Sequence, residues 1–290
     1  MKNMRKKRSL NLLSVSILVL ILALNFSACH RNKKKVTLSP EDLGTDKELY
    51  EKAKAKSKRD SEKARMLFKE IIHLYPDSAY ARRAKIGIAD TYFKQKDSAS
   101  YIMAATEYEE YVSLYPNSPD AVYAKYQTAM CYYNQMPKPG RDQANTILAV
   151  KALENMIKLY PDTKEAEDAK IKLETARQNL AAHYCGIGIT NFKIEALLGA
   201  VARFKQVIDE YPDFKENDKL FYYTGKCYLR LRSYDTAASF FQKVINSYPR
   251  SKYLKKSKAL LKKAMLLEEE RKKKQAEAPK EKGGEIKKNN

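Results

Sequence analysis

Few side chains in this 290-residue sequence are able to do covalent or metal chemistry: three histidines and four cysteines, with no tryptophan. His30 lies in a basic run, while His73 and His183 fall in helical patterns. None has a second His, Cys or carboxylate at metal-ligand spacing. Cys131, Cys185 and Cys227 share no Cys-x-x-Cys spacing and sit within apolar helical stretches. Buried free thiols are therefore expected, with one disulfide as the alternative in an oxidising compartment. Neither a Gly-x-Ser-x-Gly elbow nor a phosphate-cradling Walker loop occurs. Cys185-Gly186-Ile187-Gly188 contains Gly-x-Gly, but in an amphipathic helical stretch with no strand before it, where a dinucleotide has no cradle. Glu109-Glu110 and Glu268-Glu269-Glu270 read as solvated helix faces. The expectation is no catalysis, no metal and no cofactor.

What the remaining residues build is a repeat. A Tyr-Pro pair recurs at Tyr75-Pro76, Tyr115-Pro116, Tyr160-Pro161, Tyr211-Pro212 and Tyr248-Pro249, with proline spacings of 40, 45, 51 and 37. Each follows an amphipathic stretch whose apolar residues keep helical spacing, as in Phe241, Val244, Ile245 and Tyr248. Proline disfavours helical geometry in the residue before it, so each helix ends at the tyrosine. Asp77-Ser78, Asn117-Ser118 and Asp162-Thr163 then offer N-caps to the next helix. The last unit places Phe221, Gly225, Tyr228, Ala237 and Phe241 before Pro249, which is similar to the tetratricopeptide pattern. Small Gly225 and Ala237 let two helices approach, and Tyr228 and Phe241 fill the gap to the neighbouring pair. The fourth unit repeats this with Tyr184, Gly188, Ala200, Phe204 and Pro212; the first keeps Ala64, Phe68 and Pro76, and the second Ala89, Tyr92, Ala104, Tyr108 and Pro116. The third needs an insertion over roughly 136–146, where Pro137-Lys138-Pro139-Gly140-Arg141 must loop. The predicted fold is all-α: a right-handed α-solenoid of about five tetratricopeptide-like hairpins, with a capping helix from Lys252 to about Lys274. Residues 275–290 are expected to be a disordered basic tail.

The net charge of +21 does not describe the repeats. Residues 1–35 hold nine Lys/Arg and no acid, and residues 252–290 hold fourteen against six Glu, leaving the middle near neutrality. The excess lies in the ends, which argues against a nucleic-acid-binding footprint. Five positive charges in Met1 to Arg8 precede a mostly apolar run from Leu10 to Phe26, the layout of a signal peptide. Phe26-Ser27-Ala28-Cys29 resembles the lipobox of bacterial lipoproteins, which implies cleavage after residue 28 and acylation of Cys29. An ordinary signal peptide with an incidental cysteine is the other reading of these residues. Residues 29–42 would then be a lipidated basic tether. His30 in place of the aspartate of inner-membrane retention, and basic residues in place of an acidic export run, imply the periplasmic face of the outer membrane.

A lipid anchor ahead of five such units resembles the BamD/YfiO family of outer-membrane β-barrel assembly lipoproteins. The resemblance covers roughly residues 43–265. It rests on Tyr75-Pro76-Asp77-Ser78 with Ala81 and Ala84, on Ala149 to Tyr160, on Ala182-His183, and on Ala200-Val201-Ala202-Arg203-Phe204 leading to Tyr211-Pro212. Where the family carries paired aromatics and a glycine at the fourth turn, this chain has Asn191-Phe192 and Glu195-Ala196-Leu197. The resemblance implies a non-catalytic adaptor. Its C-terminal repeats would dock on the periplasmic domains of the barrel-forming insertase, with Arg203 as the docking cation. Its N-terminal repeats would offer a groove to C-terminal signals of unfolded outer-membrane barrel proteins, with Tyr50, Lys54, Arg82, Lys85 and Tyr92 as groove residues. The other reading of each groove residue is a solvated helix face or inter-helix packing. Periplasmic tetratricopeptide proteins that coordinate cell-wall or division factors share the Tyr-Pro-x-Ser link, and a scaffold lipoprotein of that kind is the alternative function.

Overall fold

The structure, a computed structural model, describes residues 44–277. The signal segment, Cys29 with its tether, and the tail from residue 278 lie outside the described residues. From Asp46 onward the described chain is helical, with no strand among the described residues. Hairpin 1 is α1 (Asp46–Lys56) with α2 (Ser61–Leu74), and hairpin 2 is α3 (Ala79–Phe93) with α4 (Ser98–Leu114). Hairpin 3 is α5 (Asp120–Tyr133) with α6 (Ala144–Leu159), and hairpin 4 is α7 (Lys164–Lys193) with α8 (Leu197–Glu210). Hairpin 5 is α9 (Asn217–Arg230) with α10 (Tyr234–Ser247), and α11 (Leu254–Glu277) closes the stack. Each helix packs on the next, and α1 with α3, α5 with α7, and α7 with α9 also touch, so first helices form a layer of their own. This is an α-solenoid of five hairpins and a capping helix.

The Tyr-Pro corners set the connections. Tyr75, Tyr115, Tyr160, Tyr211 and Tyr248 all cap their helices with φ between −130° and −134° and ψ between 56° and 63°. Each tyrosine N–H still bonds the carbonyl four residues back. Each tyrosine carbonyl then accepts from the N–H three residues on, at 3.0–3.3 Å, closing a turn in which proline holds the position that suits its fixed φ. Ser78 and Thr163 cap the following helices as expected. At the second corner Pro119 takes the N-cap position, and Ser118 Oγ still accepts from the Asp120 N–H at 3.3 Å.

Burial follows the repeat. Phe68, Tyr108, Leu153, Phe204 and Phe241 occupy equivalent places on second helices and are 0–2% exposed. Burying each contributes about 1.5–3 kcal/mol. Their rings or branches enter notches made by small residues. A Cβ at Gly188 would come within 3.0 Å of the Phe204 ring, and one at Gly225 within 3.0 Å of the Phe241 ring. Gly87 stands in the same relation to Phe68, a notch on the next hairpin that the sequence pattern did not single out.

Three features differ from the expectation. Helix α7 runs for 30 residues, because no breaker interrupts it and its halves have different partners. Ala166 and Ala169 face the core shared with α6, while Ala181, Cys185 and Gly188 face α8. The insertion expected over roughly 136–146 lies two to three residues earlier, at 134–143, with α6 starting at Ala144. It is held down by α7: Asn179 Nδ2 donates to Pro137 O at 2.8 Å, and His183 Nδ1 donates to Pro139 O at 2.6 Å. Finally, α11 continues to Glu277, three residues past Lys274.

Gly188→Val is expected to destabilise the protein by about 1–3 kcal/mol through overpacking against Phe204. Gly186→Ala, two residues earlier with open space around its Cβ direction, should be neutral or stabilising by up to about 1 kcal/mol. Urea unfolding followed by circular dichroism measures both; equal effects would remove the notch from the account.

Candidate functional site

All five expected groove residues lie on the first helices of hairpins 1 and 2: Tyr50 and Lys54 on α1, and Arg82, Lys85 and Tyr92 on α3. The Tyr50 ring is half-buried, 5.7 Å from Phe68 and 5.4 Å from Tyr80 between centroids. Burial pushes its hydroxyl above the usual tyrosine range against the opposing pull of Arg83. Lys54, one turn on, is exposed. Arg82 is exposed and lines an open cleft of about 420 Å³ with Leu114 and the corner Tyr115-Pro116. Lys85 is committed to α4, with its Nζ 2.5 Å from Glu110 Oε1. Tyr92 is half-buried beneath the Arg65 guanidinium of α2, 4.3 Å from the ring centroid. The structure thus gathers Tyr50 with Tyr80 and Phe68, leaves Lys54 and Arg82 open to solvent, and turns Lys85 and Tyr92 toward different neighbouring helices.

Arg203 sits on α8 and is exposed. Its Nη1 donates to Gln206 Oε1 at 2.8 Å, and its guanidinium is 5.9 Å from the Tyr184 ring centroid. Among the described residues no carboxylate lies within ion-pair distance of it. Arg177 on α7 is the contrast. It bonds Glu154 at 3.2 Å and the Glu210 carbonyl at 2.7 Å, stitching α6, α7 and the end of α8 together.

Several polar groups that the sequence reading passed over are structural. Asp90 Oδ1 accepts from Tyr108 at 2.5 Å and from Tyr123 at 2.9 Å, joining α3, α4 and α5. Burial, then the Asp90 charge, drives both hydroxyls well above the tyrosine range, so they act as fixed donors. Tyr126 bonds Asp168 in the same manner between α5 and α7. The hint in the sequence was Asp90 placed directly after the run Ile86-Gly87-Ile88-Ala89 and two residues before Tyr92. A cleft of about 430 Å³ between α4, α5 and α6 was also missed, because its lining (Val112, Lys125, Tyr132, Leu148 and Lys151 among others) comes from three helices.

Cys131, Cys185 and Cys227 are free, buried thiols, as expected. Burial pushes them up to about 12, 11 and 12 respectively. Among the described residues no group of His, Cys, Asp and Glu is arranged to hold a metal ion, and no helix is long and apolar enough to cross a membrane.

Residues 43–222, a stretch that reaches into α9, match the YfiO family, described as outer membrane lipoprotein. The chain belongs to this family. Residues 220–251 match a tetratricopeptide repeat, so the YfiO match and this repeat together reach the end of hairpin 5. The outer membrane protein assembly factor BamD of Caulobacter vibrioides is 29% identical over 218 residues, 75% of this chain and 70% of that protein. Among solved structures, a thermophilic tetratricopeptide protein of Thermus thermophilus is 14% identical with a TM-score of 0.31, covering 77% of this chain and 100% of that one. A tetratricopeptide repeat protein from Parabacteroides merdae is 19% identical with a TM-score of 0.24, covering 76% and 98%. Both Arg203 and the five groove candidates fall within the stretch matched by the YfiO family.

The thiols supply a test of the packing around this site. In native protein at pH 8, Cys131, Cys185 and Cys227 should react with a disulfide reagent only as fast as the fold opens, since buried thiols of raised pKa hold almost no thiolate. Stopped-flow thiol titration of the Cys29→Ala variant, with and without denaturant, checks this; immediate reaction of these three thiols in the native protein would show that the helices are not packed as described.

Proposed function

We propose that this protein is a non-catalytic adaptor of outer-membrane β-barrel assembly, held at the periplasmic face of the outer membrane by lipid on Cys29. The observation that carries the reading is the YfiO family match over residues 43–222. The assembly-factor name of the Caulobacter vibrioides relative points the same way. The physical arrangement is consistent with it: five packed hairpins present side chains from several helices.

In this reading the two ends of the solenoid have separate tasks. The first helices of hairpins 1 and 2 take the C-terminal signals of unfolded barrel proteins. Tyr50 supplies an aromatic surface, and the exposed Lys54 and Arg82 supply cations for the terminal carboxylate. Lys85 and Tyr92 contribute by exchanging partners, since each is already engaged. Hairpin 4 docks on the periplasmic domains of the barrel-forming insertase, with Arg203 meeting a carboxylate there. Its lack of an ion-pair partner among the described residues leaves it free to do so. Two or more acyl chains on Cys29 hold the protein at the membrane, each buried CH₂ contributing about 0.8 kcal/mol.

Two variants test these assignments. Cys29→Ala should move the protein from the membrane to the soluble fraction on fractionation; retention would point to another anchor. Arg203→Glu should weaken capture of the insertase from solubilised membranes by about tenfold or more while leaving the helical spectrum unchanged. Unchanged capture would reject the docking role.

A further inference from the structure

Between the first helix of hairpin 5 and the capping helix lies a cavity of about 320 Å³. Its lining is lopsided in charge. Lys226 and Arg230 come from α9, Arg232 from the α9–α10 turn and Lys263 from α11, beside Leu229, Leu260, Leu267 and Tyr234. Four cations and three leucines line it, and no carboxylate does. Arg230 shares its charge with Glu195 at 2.9 Å on the rim, where both partners are largely solvated and the pair is worth little. Among the described residues no carboxylate lies within ion-pair distance of Lys226, Arg232 or Lys263.

The ammonium of Lys226 is crowded further. It sits 4.7 Å from the Phe192 ring centroid and 5.4–5.5 Å from those of Tyr222 and Tyr223, with the Arg230 guanidinium over the same Phe192 ring at 4.7 Å. Burial, then repulsion from Arg230 and Lys256, holds Lys226 below the usual lysine range. Like charges gathered beside apolar walls are unfavourable in the free protein, and a ligand bringing negative charge relieves that cost on binding.

We infer that this cavity is a docking site for an acidic amphipathic peptide segment of another protein, one carrying Asp or Glu side chains beside a large apolar residue. The guanidinium groups offer forked donors to carboxylates, and Leu229, Leu260 and Leu267 offer a wall for the apolar neighbour. Neither residues 1–35 nor the tail from residue 278 fits. Residues 1–35 carry nine cations and no acid, and the tail from residue 278 carries four lysines against two glutamates. All eight lining residues fall after residue 222, where the YfiO family match ends, so this site is not part of what the family match spans. The cavity serves an acidic partner whether or not that partner belongs to barrel assembly.

The test uses the full chain, purified in detergent, and a short fluorescent peptide of repeating Glu-Leu-Glu units. Anisotropy should show binding that the Gln-Leu-Gln counterpart lacks, weakened about tenfold in the Arg232→Gln, Lys263→Gln double variant. Both side chains are exposed, so the variant's thermal unfolding should match wild type. A control losing two charges elsewhere, Lys170→Gln with Lys205→Gln, should bind as wild type does. Equal binding by the two double variants would overturn the site, reducing the effect to net charge. Capture by phosphatidylglycerol vesicles that depends on Arg232 and Lys263, without peptide binding, would overturn the peptide assignment in favour of a lipid headgroup.

Discussion

Two amphipathic helices joined by a short turn bury one stripe of side chains between them and leave another bare. The rest of the molecule answers that constraint. The core around Tyr108 and Tyr111 draws on α3, α4 and α5, that around Leu153 on α5, α6 and α7, and that around Phe204 on α7, α8 and α9. Each hairpin thus completes its core with the first helix of the next. At the end of the stack α11 takes that role, with Ala264 against Phe241 and Val244, and Tyr253 stacked on Tyr222 at 4.7 Å. Ser251 after the last corner bonds Asp218, as Ser78 after the first bonds Asp46. Through these links α11 occupies the place where a sixth hairpin would begin.

Such a structure offers side chains from many helices in fixed relation, and its electrostatics sort them into two kinds. Some cations are consumed by the fold: Arg65 covers Tyr92, Lys85 holds Glu110, and Arg177 joins three elements. Others, such as Arg203, Arg232 and Lys263, have no carboxylate within ion-pair distance among the described residues, and they lie on hairpins 4 and 5 or the capping helix. Burial holds the thiols of Cys131, Cys185 and Cys227 and the hydroxyl of Tyr108 neutral, which suits packing and hydrogen bonding.

The architecture was legible because its determinants are local. Tyr-Pro fixes a corner from two adjacent residues, and small Gly188 and Gly225 follow from one spacing within one unit, although the pattern points Phe241 at the neighbouring pair and its ring instead seats on Gly225 of its own hairpin. What escaped depends on neighbours distant in sequence. Gly87 meets Phe68 across two hairpins, Asp90 joins tyrosines from two other helices, and the loop at 134–143 is ordered by Asn179 and His183 far along the chain. The same limit applies to binding residues. Helical periodicity placed Lys85 and Tyr92 on suitable helices, but which neighbour each would face was set by packing. The length of α7 was hidden because a helix with different partners along its two halves has no single periodic face.

The central claim is that this solenoid serves the assembly of outer-membrane barrels. The most direct measurement is quantitative proteomics of the outer membrane after depletion of the protein. The account predicts that many unrelated barrel proteins fall together while lipoproteins without barrels persist. Normal barrel levels after full depletion would contradict it.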